Sequence, residues 1–231
     1  KGVNFPNVKL NIPTITEKDI KDIKLGLKLN VDWIALSFVR SHNDLNSILE
    51  IYKTEKKFIP VIAKIEKPEA IKNLDNIIEK FNGVLIARGD LAVEETFAKV
   101  PVLQKNIIRS CRKLKKPVIV ATQILDSMIN NSIPTRAEVN DVANAVYDKV
   151  DAVMLSAETA IGEYPSESVA IMSDIIKDVE TEIKSFKQKE IKIEKDLNNR
   201  SAIGESVKLI ADNLDIKAIV VMSESGDTAR V

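Results

Sequence analysis

Short runs of apolar, mostly β-branched residues alternate with segments of helical periodicity up to residue 160 of this chain. The runs are 33–38 (WIALSF), 59–65 (IPVIAKI), 83–87 (GVLIA), 117–121 (PVIVA) and 152–156 (AVMLS). Continuous apolar runs of this length are typical of parallel strands buried on both faces. Their central residues, 34, 62, 85, 119 and 153, lie 28, 23, 34 and 34 residues apart, which fits one strand, one helix and two loops. The spacing predicts five parallel β/α units.

Such units build either a doubly wound sheet or a (β/α)8 barrel. Neither of the glycine-rich phosphate-binding turns, G-x-G-x-x-G or G-x-x-x-x-G-K-[ST], follows any predicted strand, which disfavours a doubly wound nucleotide fold. Polar residues instead recur at the carboxyl ends of the strands, where a barrel gathers them into one mouth. These residues are Ser37, Arg40, Lys64, Glu66, Arg88, Asp90, Thr122, Gln123, Ser156 and Glu158. We therefore predict a (β/α)8 TIM barrel, of which this chain supplies five units.

The pattern changes after the fifth unit. One amphipathic helix is predicted from Pro165 to about Lys184, followed by a stretch in which lysine and glutamate alternate, as in a solvated connection between domains. A further αβ unit is predicted from helix 202–213 and strand 218–222, with a turn at 223–226. The expected domains are a partial barrel over 1–185, a linker over 186–200 and the start of a smaller C-terminal α/β domain over 201–231.

Charge and rare residues exclude several classes of function. Lysine plus arginine and aspartate plus glutamate both total 34, so no net positive field attracts a nucleic acid or an anionic membrane. The single Cys111 excludes an internal disulfide, and the single His42 excludes a multi-histidine metal site. No apolar run is long enough to span a bilayer and no signal peptide is evident, so a cytoplasmic protein is expected.

Lys64 and Glu66 provide the strongest local signal of chemistry, in the segment VIAKIEK at 61–67. Residues two apart on a strand point to the same face. An ammonium beside a carboxylate at a barrel mouth can neutralise a transferring phosphoryl group while the carboxylate holds a divalent metal. The alternative is a Lys–Glu ion pair at a strand end, and the pattern alone does not decide between them.

The segment ARGDLAVE at 87–94 leads from a strand through Gly89 into a short helix expected to begin near Asp90. A helix start offers unpaired backbone N–H groups to an anion. Asp90 either caps this helix or acts as a second hard oxygen ligand, and two carboxylates with water and substrate oxygens suit magnesium. These two interpretations are compatible.

Further assignments concern the segments after the fourth and fifth strands. Thr122 is expected to donate a hydrogen bond inside the mouth, whereas Thr135 followed by Glu138 predicts a capping box. His42 is expected in a surface loop and Met154 in the core.

Together these segments resemble the pyruvate kinase family over essentially the whole chain. Seven motifs occur in the family's order, which is more specific than any single match: 1–6 (KGVNFP), 37–40 (SFVR), 59–71 (IPVIAKIEKPEAI), 87–91 (ARGDL), 121–123 (ATQ), 134–138 (PTRAE) and 154–160 (MLSAETA).

The resemblance implies a phosphotransferase of glycolysis that moves the phosphoryl group of phosphoenolpyruvate to ADP, giving pyruvate and ATP. Lys64 would stabilise the transferring phosphoryl group and the enolate, while Glu66 and Asp90 would bind Mg²⁺. Backbone amides around Ala87, Gly89 and Asp90 would receive the substrate carboxylate. Thr122 would contact the substrate near the carbon that is protonated, with Ser156 in a proton relay behind it.

The resemblance also implies a K⁺ requirement, with ligands on barrel strands that precede this chain, and a homotetramer when complete. With five of eight strands, the chain alone is expected to be inactive. Two alternatives stay open: a non-catalytic half barrel, and a magnesium-dependent aldolase or lyase that acts on a pyruvate enolate.

Overall fold

In the part of the chain that the structure describes, one parallel sheet of five strands organises the fold. The computed structural model describes residues 15–186, 199–214, 216–222 and 226. The strands are β1 (Ile34–Leu36), β2 (Val61–Ile65), β3 (Gly83–Ala87), β4 (Val118–Ala121) and β5 (Ala152–Met154), in the spatial order β1-β2-β3-β4-β5. All neighbours are parallel. A doubly wound sheet reverses its strand order at a switch point, whereas this sheet advances without reversal. The barrel prediction is confirmed in this form, as a partial (β/α) barrel.

Helices precede, connect and follow the strands, and several of them pack on one face of the sheet. They are α1 (Glu17–Leu29), α2 (Asn46–Glu55), α3 (Pro68–Lys72), α4 (Leu74–Lys80), α5 (Arg88–Glu94), α6 (Val100–Lys113), α7 (Arg136–Tyr147), α8 (Ala157–Ala160), α9 (Pro165–Phe186) and α10 (Asn199–Asn213). Short 3₁₀ turns occupy His42–Leu45, Phe97–Lys99 and Asp126–Ile129. Thr135 caps α7 through the predicted capping box with Glu138.

The two faces of the sheet bury different side chains. Alternate strand residues point to opposite faces. The residues toward the helices, such as Val61, Ala63 and Ile65, belong to the main core with Ile77 and Ile107. The other face buries the small second cluster Ile62, Leu85, Ala87 and Ala121, as expected for the interior of a barrel. This packing fixes the strand ends, and therefore the residues that follow them.

Several predictions for the last elements need correction or lie outside the described residues. Met154 is not in the core, since its exposure is 38%, and β5 pairs only with β4 among the described strands. Residues 218–222 form no strand, and Met222 is 95% exposed, because a strand needs a hydrogen-bonded partner. Most of the 186–200 linker and of the 223–226 turn lies outside the described residues, so the domain boundaries stay predictions. No helix in the described ranges is long and apolar enough to cross a membrane.

Candidate active site

The predicted site residues lie at one edge of the sheet. Lys64 is the penultimate residue of β2, and Glu66 directly follows that strand. The other three come after the next strands: Asp90 after β3, Thr122 after β4 and Ser156 after β5. Because the strands are parallel and neighbours in sequential order, their carboxyl ends share this edge. The structure thus brings together on one edge the residues that the sequence assigned to separate segments.

Lys64 and Glu66 form an ion pair, with 2.7 Å between the lysine Nζ and Glu66 Oε1. The ammonium also donates to Ser37 Oγ at 2.9 Å. Glu66 is 1% exposed, whereas the Lys64 side chain keeps 26% of its surface accessible. The ion-pair interpretation is therefore correct as a description of geometry, and the ammonium remains accessible to an incoming anion.

The loop after β1 supports this pair. Phe38 has φ 57°, a left-handed conformation that is uncommon for a residue with a side chain. Its amide donates to Glu66 Oε2 at 2.8 Å. Lys67 lies 5.8 Å from the centre of the Phe38 ring and is paired with the buried Glu94 of α5. Sequence reasoning assigned no role to Phe38, Lys67 or Glu94, and their long-range pairing leaves no local pattern.

Asp90 lies in the first turn of α5 and does not cap it. The N-cap position is held by Ala87, and the helix begins at Arg88, two residues earlier than expected. The Asp90 side chain is exposed, with no hydrogen bond or ion pair to another residue in the described part of the chain. It is therefore open to a ligand.

The Gly89 amide, expected to receive a substrate carboxylate, already has a partner. It donates to Thr122 Oγ1 at 2.8 Å, and the same hydroxyl donates to the Ala121 carbonyl at 2.6 Å. The Thr122 hydroxyl oxygen thus lies where the substrate carboxylate is expected to accept a hydrogen bond from the Gly89 amide. A carboxylate that binds this amide has to share it with Thr122 or displace the hydroxyl.

Thr122 and Gln123 both adopt left-handed backbone conformations, with φ of 70° and 53°. For a β-branched residue such as threonine, positive φ is a clear outlier, and such strain clusters at active sites. The side chain of Arg88 donates to both carbonyls of this turn and is held in turn by Asp141. No local sequence pattern marks this conformation, since neither residue is glycine.

Ser156 is tied to its neighbourhood through Glu158, which is 1% exposed. Its carboxylate accepts from the Ser156 amide at 2.7 Å and from the Leu125 amide at 3.1 Å. Because Leu125 lies in the loop after β4, this buried carboxylate joins the loops that carry Thr122 and Ser156. Glu158 is therefore a bracing residue between two site loops.

The carboxylates fit a hard divalent cation that keeps most of its other ligands from substrate and water. No group of three or more His, Cys, Asp or Glu that could hold a metal occurs among the described residues. Oε2 of Glu66 accepts a hydrogen bond from the Phe38 amide and Oε1 lies in the ion pair with Lys64, and a carboxylate oxygen retains a second lone pair. Together with the open Asp90, this donor set matches the one or two carboxylates through which Mg²⁺ is usually bound.

Comparison with known proteins decides the family. The family model described as the pyruvate kinase barrel domain matches residues 1–169. The chain belongs to the pyruvate kinase family. It is 51% identical to a pyruvate kinase of Staphylococcus epidermidis and 52% identical to one of Staphylococcus aureus, in each case over 100% of this chain and 40% of the relative. Pyruvate kinase 2 of Synechocystis is 50% identical over 100% of this chain and 38% of its own length.

A solved member of the pyruvate kinase family has the same fold. The crystal structure of the pyruvate kinase of Cryptosporidium parvum superposes with a TM-score of 0.85 at 38% identity, over 98% of this chain and 48% of that chain. The sequence therefore spans about 40% of the length of the curated pyruvate kinases cited above.

Proposed function

We propose that this chain is part of a pyruvate kinase that transfers the phosphoryl group of phosphoenolpyruvate to ADP, giving pyruvate and ATP. The observation that carries the proposal is the Lys64 ammonium, which is partly accessible and lies beside the buried carboxylate of Glu66. In phosphoryl transfer the protein contributes mainly positioning and electrostatic stabilisation. An ammonium and a metal-binding carboxylate at one strand end supply both.

Lys64 is the proposed catalytic cation. Its Nζ is fixed by Ser37 Oγ and by Glu66, so little reorganisation is needed when negative charge develops on the phosphoryl and enolate oxygens. Preorganised charge of this kind is among the largest contributions to catalysis. Lys64 would thus bind the substrate and stabilise the transition state.

Glu66 and Asp90 are the proposed Mg²⁺ ligands. When bound, the ion would neutralise charge on the oxygens of the substrate. The Phe38 amide orients Glu66, and the first turn of α5 presents Asp90. A K⁺ requirement is also proposed from the family, with ligands outside the residues described here.

Substrate binding and proton transfer are assigned to the loops after β3, β4 and β5. The amides near Ala87, Gly89 and Asp90 would receive the substrate carboxylate, with Thr122 exchanging its bond to Gly89 for contact with the substrate. Thr122 would then lie near the carbon that is protonated, and Ser156 would relay the proton. The Glu158 brace keeps the two loops at a fixed separation.

The remaining assignments follow from family membership. We propose ADP and ATP as the nucleotides, a role in glycolysis, a homotetrameric full-length enzyme and a cytoplasmic location.

The decisive experiment is a coupled assay of pyruvate formation from phosphoenolpyruvate and ADP, on a full-length polypeptide that contains this chain, with and without Mg²⁺. Turnover that needs both ADP and Mg²⁺ is expected. Pyruvate released from a larger keto acid without ADP would instead support the aldolase or lyase alternative. No turnover of any of these substrates would overturn the proposed activity.

A further inference from the structure

Arg88 is a nearly buried guanidinium that the reaction proposed above does not use. Its side chain is 11% exposed. Nη1 donates to both oxygens of Asp141, at 2.8 and 2.6 Å. On the other side, Nε and Nη2 donate to the Thr122 carbonyl at 3.2 and 2.8 Å, and Nη2 also donates to the Gln123 carbonyl at 2.9 Å. The planar fork thus connects helix α7 to the turn after β4.

The two carbonyls that Arg88 binds belong to the strained residues. A left-handed conformation at a β-branched residue persists only when its surroundings impose it. Arg88 holds the backbone of Thr122, and the next residue, Gly89, donates to the Thr122 hydroxyl. Thr122 is therefore held at its backbone and at its side chain by two consecutive residues.

Asp141 is itself fixed relative to this turn. It lies on α7, whose first turn is joined to the segment after β4 by Glu138, which accepts from both the amide and the hydroxyl of Ser127. The position of the helix is thereby coupled to the position of the loop. Asp141 can therefore orient the Arg88 guanidinium as well as neutralise its positive charge.

We propose that Arg88 and Asp141 are a positioning pair that keeps Thr122 in its left-handed conformation and its hydroxyl at the reacting face. The pair acts through Thr122 and touches no substrate itself. This inference rests on the proposed function, because it gives Thr122 a part in the reaction. A lysine at position 88 would keep the charge but lose the planar fork that binds Asp141 and two carbonyls together.

Kinetics of the full-length enzyme test the proposal through a double-mutant cycle. Arg88→Lys and Asp141→Asn should each lower kcat by about 10²-fold, the scale expected when a reacting group is displaced by about 1 Å, with a smaller change in KM for phosphoenolpyruvate. Thr122→Ala removes the positioned hydroxyl, so Arg88→Lys should cost little more in that background. Asp141→Asn keeps the test valid if Arg88→Lys does not fold.

Asp148→Asn is the matched control, because Asp148 lies at the end of the same helix in a two-contact ion pair with Lys105. It should leave kcat within a few-fold of the parent. Independent, multiplicative losses for Arg88→Lys and Thr122→Ala, or equal losses for Asp141→Asn and Asp148→Asn, would overturn the proposal.

A crystal structure of the Arg88→Lys variant separates this inference from the proposed function. Thr122 should leave the left-handed region or lose its bond to the Gly89 amide in that structure. Thr122 with unchanged backbone angles and an intact bond to Gly89 would overturn the positioning role, whatever the activity. A parent enzyme that forms no pyruvate would overturn the proposed function but leave this structural test in force.

Discussion

The Gly89 amide and the Thr122 hydroxyl are joined by a 2.8 Å hydrogen bond across the ends of β3 and β4. The two residues are 33 positions apart in the chain, and both belong to the proposed substrate site. The bond explains how the start of α5 is satisfied without a side-chain cap from its own N-cap residue. If this site binds substrate as proposed, a group added between the two residues should change substrate binding.

Gly89→Ala should therefore change substrate binding without lowering the free energy of unfolding. An added Cβ would lie 3.6 Å from Thr122 Oγ1 and 3.8 Å from its Cβ, which is ordinary contact, and alanine favours a helix over glycine by about 1 kcal/mol. The free energy of unfolding should stay equal or rise, while KM for phosphoenolpyruvate should increase because the methyl group narrows the space beside the amide. Urea denaturation and steady-state kinetics measure both, and an unchanged KM would remove the Gly89 amide from the substrate site.

Tyr52→Phe should not destabilise the protein. Tyr52 is a buried core residue, and its hydroxyl has no hydrogen-bond partner among the described residues. Burial raises the pKa of this phenol to about 12. Because a buried hydroxyl without a partner costs about 1–3 kcal/mol of desolvation, its removal should leave the free energy of unfolding unchanged or raise it.

Tyr147→Phe is the control for this prediction, since Tyr147 is exposed and donates to Glu182. That variant should lose a little stability in the same denaturation experiment. A marked loss for Tyr52→Phe would show that its hydroxyl has a partner in solution.

Glu138 should make part of the free energy of unfolding depend on pH in the acid range. Burial alone would raise the pKa of its carboxyl, but hydrogen bonds from Ser127 and Thr135 outweigh it and lower the pKa below the ordinary value of 4.5. A lowered folded-state pKa gives stability that is fully present above 4.5 and is lost as the pH falls through the folded-state value. Glu138→Gln should thus cost stability near neutral pH, and the cost should shrink in acid.

Urea denaturation at several pH values above and below 4.5 measures this difference. Glu79→Gln on α4 is a suitable control, because Glu79 is exposed and the variant reports the general effect of removing one negative charge. A cost for Glu138→Gln that stays constant with pH would show that its carboxylate gains nothing from Ser127 and Thr135.

Local patterns in the sequence predict the strands and the capping box well, because each depends on neighbouring residues. β3 lies within the bounds that its apolar run predicts, and Thr135 caps α7 as its spacing from Glu138 indicates. The supports of the site depend instead on long-range contacts. Arg88 reaches Asp141 across 53 positions, and no pattern in the sequence marks that pair. The left-handed conformation of Thr122 could not be predicted from the sequence for the same reason, because long-range contacts impose it and no glycine marks the position.

Lys64→Ala in the full-length enzyme should lower kcat far more than it raises KM for phosphoenolpyruvate. The ammonium is fixed by Ser37 and Glu66 and is proposed to meet charge that develops during transfer, and an interaction made mainly in the transition state is lost from kcat. Loss of one preorganised donor costs about 10²–10³ in rate. A kcat within a few-fold of the parent would reduce Lys64 to a structural ion-pair residue.

Glu66→Gln should respond to magnesium in a way that Lys64→Ala does not. The substitution keeps the shape of a side chain that is 1% exposed and removes the charge that is proposed to bind the metal. Its kcat/KM should therefore recover in part as Mg²⁺ is raised, because mass action offsets weaker binding. Added metal cannot replace an ammonium, so Lys64→Ala should stay impaired at every Mg²⁺ concentration. Kinetic titration of both variants with Mg²⁺ tests the assignment. Equal recovery of the two variants, or recovery of Lys64→Ala alone, would contradict the assignment of Lys64 as the catalytic cation and Glu66 as the metal ligand.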